Sequence, residues 1–232
     1  MRRSFVVWMM LTRAAVSPRD GRYKELGAEK GGHDRGEGVT WGETWKELYY
    51  IEDGLEHIEK SAEKWTSYSG APTKWSERWS ERFSSSGSYV KSVEKNGSDG
   101  RQTWTERWGE SYADGKFHNY TDKFASSPGA RWGDRWDEDF DRYGNGSKNG
   151  ETWREEAESS QRWSRAWWET HDGGVVRKYG RSSSGEQWDV TSHNRRQGVR
   201  KVQYTWNRAV ADSKQLIAIS KPPPPPDERP PI

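Results

Sequence analysis

The chain contains no cysteine in 232 residues, which excludes disulfides, zinc ribbons and thiol catalysis. Aliphatic core residues are scarce as well. Leu, Ile, Val and Phe together number 27 of 232, about 12%, a level at which an ordinary globular interior is not expected. Long apolar runs are missing: the longest, Phe5 to Leu11, falls far short of the roughly 20 residues a membrane span needs. It is framed by Arg2, Arg3 and Arg13, with no acid before Asp20. Such a start reads as the remnant of an organelle-targeting peptide, as a short secretory signal, or as an unstructured end. Charge of one sign is lacking too. Thirty-eight Lys and Arg face 36 Asp and Glu, leaving a net +2, so no long-range field draws in nucleic acid or anionic lipid.

What the chain does have is tryptophan, 16 of them. Each aromatic side chain can bury roughly 150–250 Å², so Trp and Tyr can supply the apolar area that the aliphatics do not. A thick two-layer core is out of reach, but a thin, extended structure is not. Five pairs lie four residues apart: Trp41/Trp45, Trp75/Trp79, Trp104/Trp108, Trp132/Trp136 and Trp163/Trp167. An acid stands midway in four of them, as Glu43, Glu77, Glu106 or Asp134.

A spacing of four suits a helix or a strand; the residues between decide. WSERWSERF (Trp75 to Phe83) alternates Trp, Glu, Trp, Glu, Phe with Ser and Arg. WGETWKELY, WTERWGESY and WGDRWDEDF follow the same template. On a helix the acid would face away from the tryptophans; on a strand all five alternate residues share one face. Turn residues follow each unit: Asp53-Gly54, Ser86-Gly87, Asp114-Gly115, Asn145-Gly146 and Gly173-Gly174. Folding the chain back there sets Glu43 against Lys64, Glu47 against Lys60, Glu77 against Lys95, Glu81 against Lys91, and Glu106 against Lys123. Tyr49 meets Ile58, Phe83 meets Tyr89, and Tyr112 meets Phe117. Such cross-strand pairs contribute about 0.2–1 kcal/mol each.

The fourth unit gives no register after Phe140, and Thr152 to Ser159 reads as strand or short helix. Val199 to Trp206 reads as a closing strand, and Val210 to Ile219 as one more strand or a short helix. Pair-to-pair steps of 34, 29, 28 and 31 residues mark a repeat array. The expected fold is all-β: a single extended antiparallel sheet of repeated hairpins, a meander of about ten or more strands carrying aromatic stripes, with flexible termini. Residues 1–38 are read as a flexible N-terminal segment, with GAEKGGHDRGEG as linker. Residues 39–206 form the Trp-rich sheet, and 207–232 a tail with five consecutive prolines at 222–226. That run is polyproline II, a stiff spacer or a ligand for a proline-binding partner.

Three uses suit rows of indoles. A pyranose presents a flat, weakly positive C–H face that stacks on an indole, and Glu, Lys, Arg and Ser between the rows can bind its hydroxyls. Single-stranded nucleic acid also stacks on aromatics, but four of the five pairs here flank an acid, which disfavours it. The third use is structural, rings packing on one another. A catalytic carboxylate pair is normally unique, whereas these acids repeat in four of the five units. The five histidines have no ligand spacing, so no metal, no cofactor and no enzyme activity are expected, and no membrane partner.

WSERWSERF, WTERWGESY and WGDRWDEDF, with the EK segments SVEKNGSDG and SAEKWTSYS and the terminal polyproline, resemble the Early Starvation and Like Early Starvation proteins of plants and green algae. The likeness runs from about Val39 to Trp206. It implies a non-enzymatic plastid protein of the chloroplast stroma and starch granule. Such a protein binds starch glucans, amylopectin above all, through an extended tryptophan-rich sheet. It aligns or stabilises glucan double helices and so modulates granule organisation and turnover. The family's glucan-facing positions would fall on the ten paired tryptophans together with Tyr49, Phe83, Tyr112 and Phe140. Glu43, Glu77, Glu106 and Asp134 would give polar support. The fifth unit departs from the pattern, with Arg165 where an acid is expected.

Overall fold

A computed structural model describes residues 5–8, 13–16, 23–70, 72–193 and 205–218. Its body is one antiparallel meander in which each strand pairs with the next. The order is β3 (Tyr23–Asp34), β4 (Val39–Glu52), β5 (Leu55–Tyr68), β6 (Lys74–Ser84), β7 (Tyr89–Ser98) and β8 (Thr103–Ala113). It continues through β9 (Lys116–Ser126), β10 (Ala130–Asp141), β11 (Gly146–Glu156), β12 (Arg162–Asp172), β13 (Val175–Ser182) and β14 (Gln187–His193). Two short strands, β1 (Phe5–Trp8) and β2 (Arg13–Val16), divide the outer edge of β3 between them. The chain ends its described course in α1 (Trp206–Asp212) and α2 (Lys214–Ala218).

The hairpins follow from the turn chemistry. Asp53-Gly54, Asp114-Gly115 and Gly173-Gly174 each hold two consecutive positive φ angles, 51° and 77° in the first, as a two-residue turn that matches strand twist requires. The loop at Ser85–Gly87 has three residues and closes through Ser84 N–H to the Ser88 carbonyl at 2.9 Å. The expected register is therefore met: Glu43 lies opposite Lys64, Glu47 opposite Lys60, Glu77 opposite Lys95, Glu81 opposite Lys91 and Glu106 opposite Lys123.

Several expectations are corrected. The glycine-rich stretch read as linker forms most of β3, where Lys30 pairs with Glu43 and Ala28 lies opposite Trp45. Gly32 leaves room for the Trp41 ring and Gly27 for the β4 backbone at Trp45, so low side-chain bulk there reflects packing rather than flexibility. In the fourth unit the turn is not Asn145-Gly146 but the three residues before it, with Gly144 at φ 85°. The Asp141 carboxylate accepts from the Tyr143 and Asn145 backbone N–H groups, at 2.8 and 2.9 Å, and fixes that loop. Residues Thr152 to Glu156 then belong to strand β11. Trp206, expected in a closing strand, starts helix α1 with Thr205 as its N-cap; residues 199–204 and the proline run lie outside the described residues.

The buried centre is small. Ile58, Phe83, Tyr89 and Ala209 form it, with Tyr49, Tyr112, Trp206, Val210 and Ile217 packed around. Ala209 and Leu216 are the buried residues of the two helices, and the Lys24 ammonium donates to the Ile217 carbonyl. The rest of the sheet is a single layer. Its interior strands satisfy their backbone groups on both sides, and side-chain ladders hold it extended.

Candidate functional site

Alternation and register together fix what each face displays. One face carries, on β4, β6, β8 and β10, the sequence Trp, acid, Trp, acid, aromatic, and on β12 the same two tryptophans with Arg165 between them. Across the sheet, Trp41, Trp75, Trp104, Trp132 and Trp163 fall into a first row. The positions between them are Thr66, Gly97, Ala125 and Arg154. Trp45, Trp79, Trp108, Trp136 and Trp167 form a second row, separated by Ala62, Val93, Thr121 and Gly150. Trp188 extends that row beyond Gly180. From strand geometry the two rows stand about 13–14 Å apart, and indoles within a row recur about every 9–10 Å.

The small spacers have a purpose. A methyl group placed on Gly32 would lie 2.8 Å from the Trp41 ring, and one on Gly150 would lie 2.7 Å from the Trp167 ring; at Gly97 and Gly180 the clash would be tighter still. Each of these indoles therefore lies over the backbone of the adjacent strand and stays only half-buried. Trp108 and Trp163 remain 43% and 42% exposed. The grooves between them are shallow. One of about 580 Å³ runs between Trp45 and Trp79 over Ala28 and Ala62, with Gln215 of α2 beside it. Another of about 570 Å³ is lined by Trp104, Trp132 and Trp163.

Between the two tryptophan rows runs a line of alternating charge: Lys30, Glu43, Lys64, Glu77, Lys95, Glu106, Lys123 and Asp134. Glu43 takes Lys30 at 2.8 Å and Lys64 at 3.5 Å, Glu77 takes Lys95 at 3.5 Å, and Asp134 accepts from the Thr152 hydroxyl at 2.8 Å. The hydrogen bond from Lys30 holds the Glu43 carboxyl below its ordinary range. Beyond the second row, burial works against ionisation of Glu169, yet hydrogen bonds from Lys178 and His171 still hold its pKa down. These folded-state pKa values lie below the unfolded ones, so the unfolded chain binds more protons in acid. Their contribution is complete above about pH 4–5 and disappears as pH falls through the depressed values. The thermal midpoint should fall below that window and stay level above it, as thermal unfolding followed by circular dichroism at stepped pH would show.

The third row behaves differently. Phe83 and Phe140 are each only 5% exposed. Tyr49 and Tyr112 pack into the cluster under α1 and α2, and Lys148 lies 5.7 Å from the Phe140 ring centre. Of the aromatic residues singled out from sequence, the ten paired tryptophans share an open surface. Tyr49, Phe83, Tyr112 and Phe140 form a packed seam beside it.

The opposite face is not only polar. Trp65 lies over Gly42 and Trp153 over Gly133; Phe124 sits 6.0 Å from Trp153, and Trp168 stacks on Tyr179 at 5.5 Å. These residues fall outside the paired pattern. The signal was present in the register itself, because Lys64 opposite Glu43 sends Trp65 to the other side. Arg–Glu pairs such as Arg78–Glu63 and Arg107–Glu94, at 3.3 and 3.1 Å, fill the space between.

The family model for "Like early starvation, chloroplastic" matches residues 16–205. The chain belongs to the Like Early Starvation family. It is 41% identical over 213 residues to Protein EARLY STARVATION 1, chloroplastic, of Arabidopsis thaliana, a match covering 90% of this chain and 48% of that protein. The Marchantia polymorpha protein of the same name is 41% identical over 209 residues, 87% of this chain and 36% of its own. Protein LIKE EARLY STARVATION, chloroplastic, of Arabidopsis is 39% identical over 158 residues, 62% of this chain and 27% of its own. The chain thus spans about half the length of these relatives or less. All three are named chloroplastic, which supports a plastid location for this family member. Among its described residues there is no group of His, Asp and Glu able to hold a metal ion, and no helix long and apolar enough to cross a membrane.

Proposed function

We propose that this chain binds semi-crystalline α-glucan, amylopectin above all, through the two tryptophan rows, and that it acts in the plastid without catalysing a reaction. The observation that carries the reading is the grid of half-open indoles on alternate strands. A grid that repeats along a rigid ribbon suits a long regular polymer better than one small molecule. A sugar ring can stack on each open indole face, and the alternating Lys and Glu offer donors and acceptors to its hydroxyls. Laying several glucan chains on one flat surface would hold them in parallel, the condition for aligning or stabilising double helices in a granule. Turnover of the granule would then respond to how much of its glucan is held this way.

The acids support binding rather than hydrolysis. A general acid needs a raised pKa, whereas Glu43 is held low by its lysine, and the repeating acids give no unique pair. Single-stranded nucleic acid is the weaker fit, since its phosphates would meet carboxylates on β4, β6, β8 and β10. Sedimentation with insoluble amylopectin tests the proposal. Binding should persist in high salt, where a nucleic-acid contact would weaken. Glu77→Gln should lower affinity only about two- to three-fold, the scale of one exposed charged contact. No binding to insoluble amylopectin by the intact chain would end the reading.

A further inference from the structure

The repeat breaks at one place on the tryptophan face. The described spacers of the first row are small or short everywhere except at Arg154, which lies directly between Trp132 and Trp163. The line of alternating Lys and acid breaks at the same place: after Asp134 it reads Thr152 and then Arg165. Arg154 and Arg165 are diagonal neighbours on β11 and β12, about 7–8 Å apart at the level of their side-chain bases, so both arms can reach a group stacked on Trp163 once they leave their present partners. Their acidic partners stand at the margin. Arg154 pairs with Glu156 at the end of its strand at 2.6 Å, and Arg165 with Glu186 in the β13–β14 loop at 3.6 Å. Both arginines stay well exposed, at 61% and 49%, and exposed ion pairs of this kind are weak and readily exchanged. The Arg165 guanidinium lies over the Trp188 ring at 4.7 Å, on the same face but turned toward β14, so it must swing back across Arg165's own strand to meet a group held by Arg154.

Resting on the glucan reading above, the geometry points to a subsite for a phosphorylated pyranose. The sugar stacks on Trp163, whose ring is 42% exposed, and Arg154 and Arg165 take the phosphomonoester. Arginine suits this task because its planar fork meets two phosphate oxygens at once. At the corresponding position in the other units an acid stands beside the indole, as Glu43, Glu77, Glu106 or Asp134, and would repel the same group. The β11–β12 end of the ribbon thereby becomes a reader of glucan phosphorylation, while the rest of the grid takes neutral chains.

The test compares sedimentation with phosphate-rich insoluble amylopectin and with the same material after phosphatase treatment. The intact chain should bind the phosphorylated form about five-fold more tightly at low salt, and the difference should shrink as salt rises. Arg154→Gln/Arg165→Gln should bind both forms alike, at the affinity of the intact chain for the treated material. Arg131→Gln/Arg135→Gln, on the opposite face, should keep the preference; its loss there would show bulk charge at work and overturn the subsite. Equal binding of both forms by the intact chain would also overturn it while leaving the glucan reading standing, as would an unchanged preference in the Arg154/Arg165 variant. Inorganic phosphate should compete away only the phosphate-dependent increment. Failure of the intact chain to bind either material would instead remove the underlying function.

Discussion

Replacing Trp75 and Trp79 together by alanine should cut apparent affinity for insoluble amylopectin by about ten-fold or more. The two rings lie on the same strand, one in each row, with Glu77 between them and Lys95 across from it. Stacking of a flat ring on an exposed aromatic is worth about 1–3 kcal/mol per ring in comparable systems, and 1.4 kcal/mol is a factor of ten. Removing both stacking platforms outright would exceed that factor. The remaining grid still engages the polymer at several points, which tempers the effect. Glu77→Gln, removing one charge and keeping the shape, should cost much less. Circular dichroism and urea unfolding must accompany the measurement, because both indoles are half-buried and their removal also weakens the sheet. Undiminished binding by a folded double variant would show that the rows do not carry the glucan.

Much of this surface could be read before any coordinates. The alternation in WSERWSERF assigned the strands, and the Glu–Lys and aromatic pairs across Asp53-Gly54, Ser85–Gly87 and Asp114-Gly115 set their register. These signals are local, which is why they survived in a single sequence. What the sequence concealed depends on packing between distant segments. The N-terminal glycines look like linker until β4 is laid beside them and Trp41 is seen to need the space above Gly32. Asn145-Gly146 has ordinary hairpin composition, and only the Asp141 carboxylate, gathering the N–H groups of Tyr143 and Asn145, moves the turn upstream. The aromatic content of the second face was implicit in the register but masked by the pair motif, since Trp65 and Trp153 occur singly. The division of the third aromatic row from the other two lay beyond the repeat altogether. Around Phe83 and Tyr89 it is set by α1, whose Ala209 packs into that cluster, and at Phe140 by Lys148 and the edge of His171.

The helix pair α1 and α2 yields the second large effect. Leu216→Asp should undock α1 and α2 while leaving the meander intact. Leu216 is 0% exposed, so its replacement places a carboxylate in an apolar setting without a built partner, at a cost of about 3–5 kcal/mol. Helices of seven and five residues lie far below the length that holds in water alone, so undocking and melting are the same event. Strand content by circular dichroism should be retained, while apolar-dye binding rises and protease cuts appear within 205–218. Collapse of the strand signal would show instead that the Ile58–Phe83–Tyr89 cluster anchors the whole sheet. The same variant separates the rows by function. It uncovers Tyr49, Phe83 and Tyr89 without touching the tryptophans. If glucan binding belongs to the two tryptophan rows, amylopectin affinity should change far less than in Trp75→Ala/Trp79→Ala. A gain comparable in size to that loss would make the third row a glucan stripe held shut by the helices.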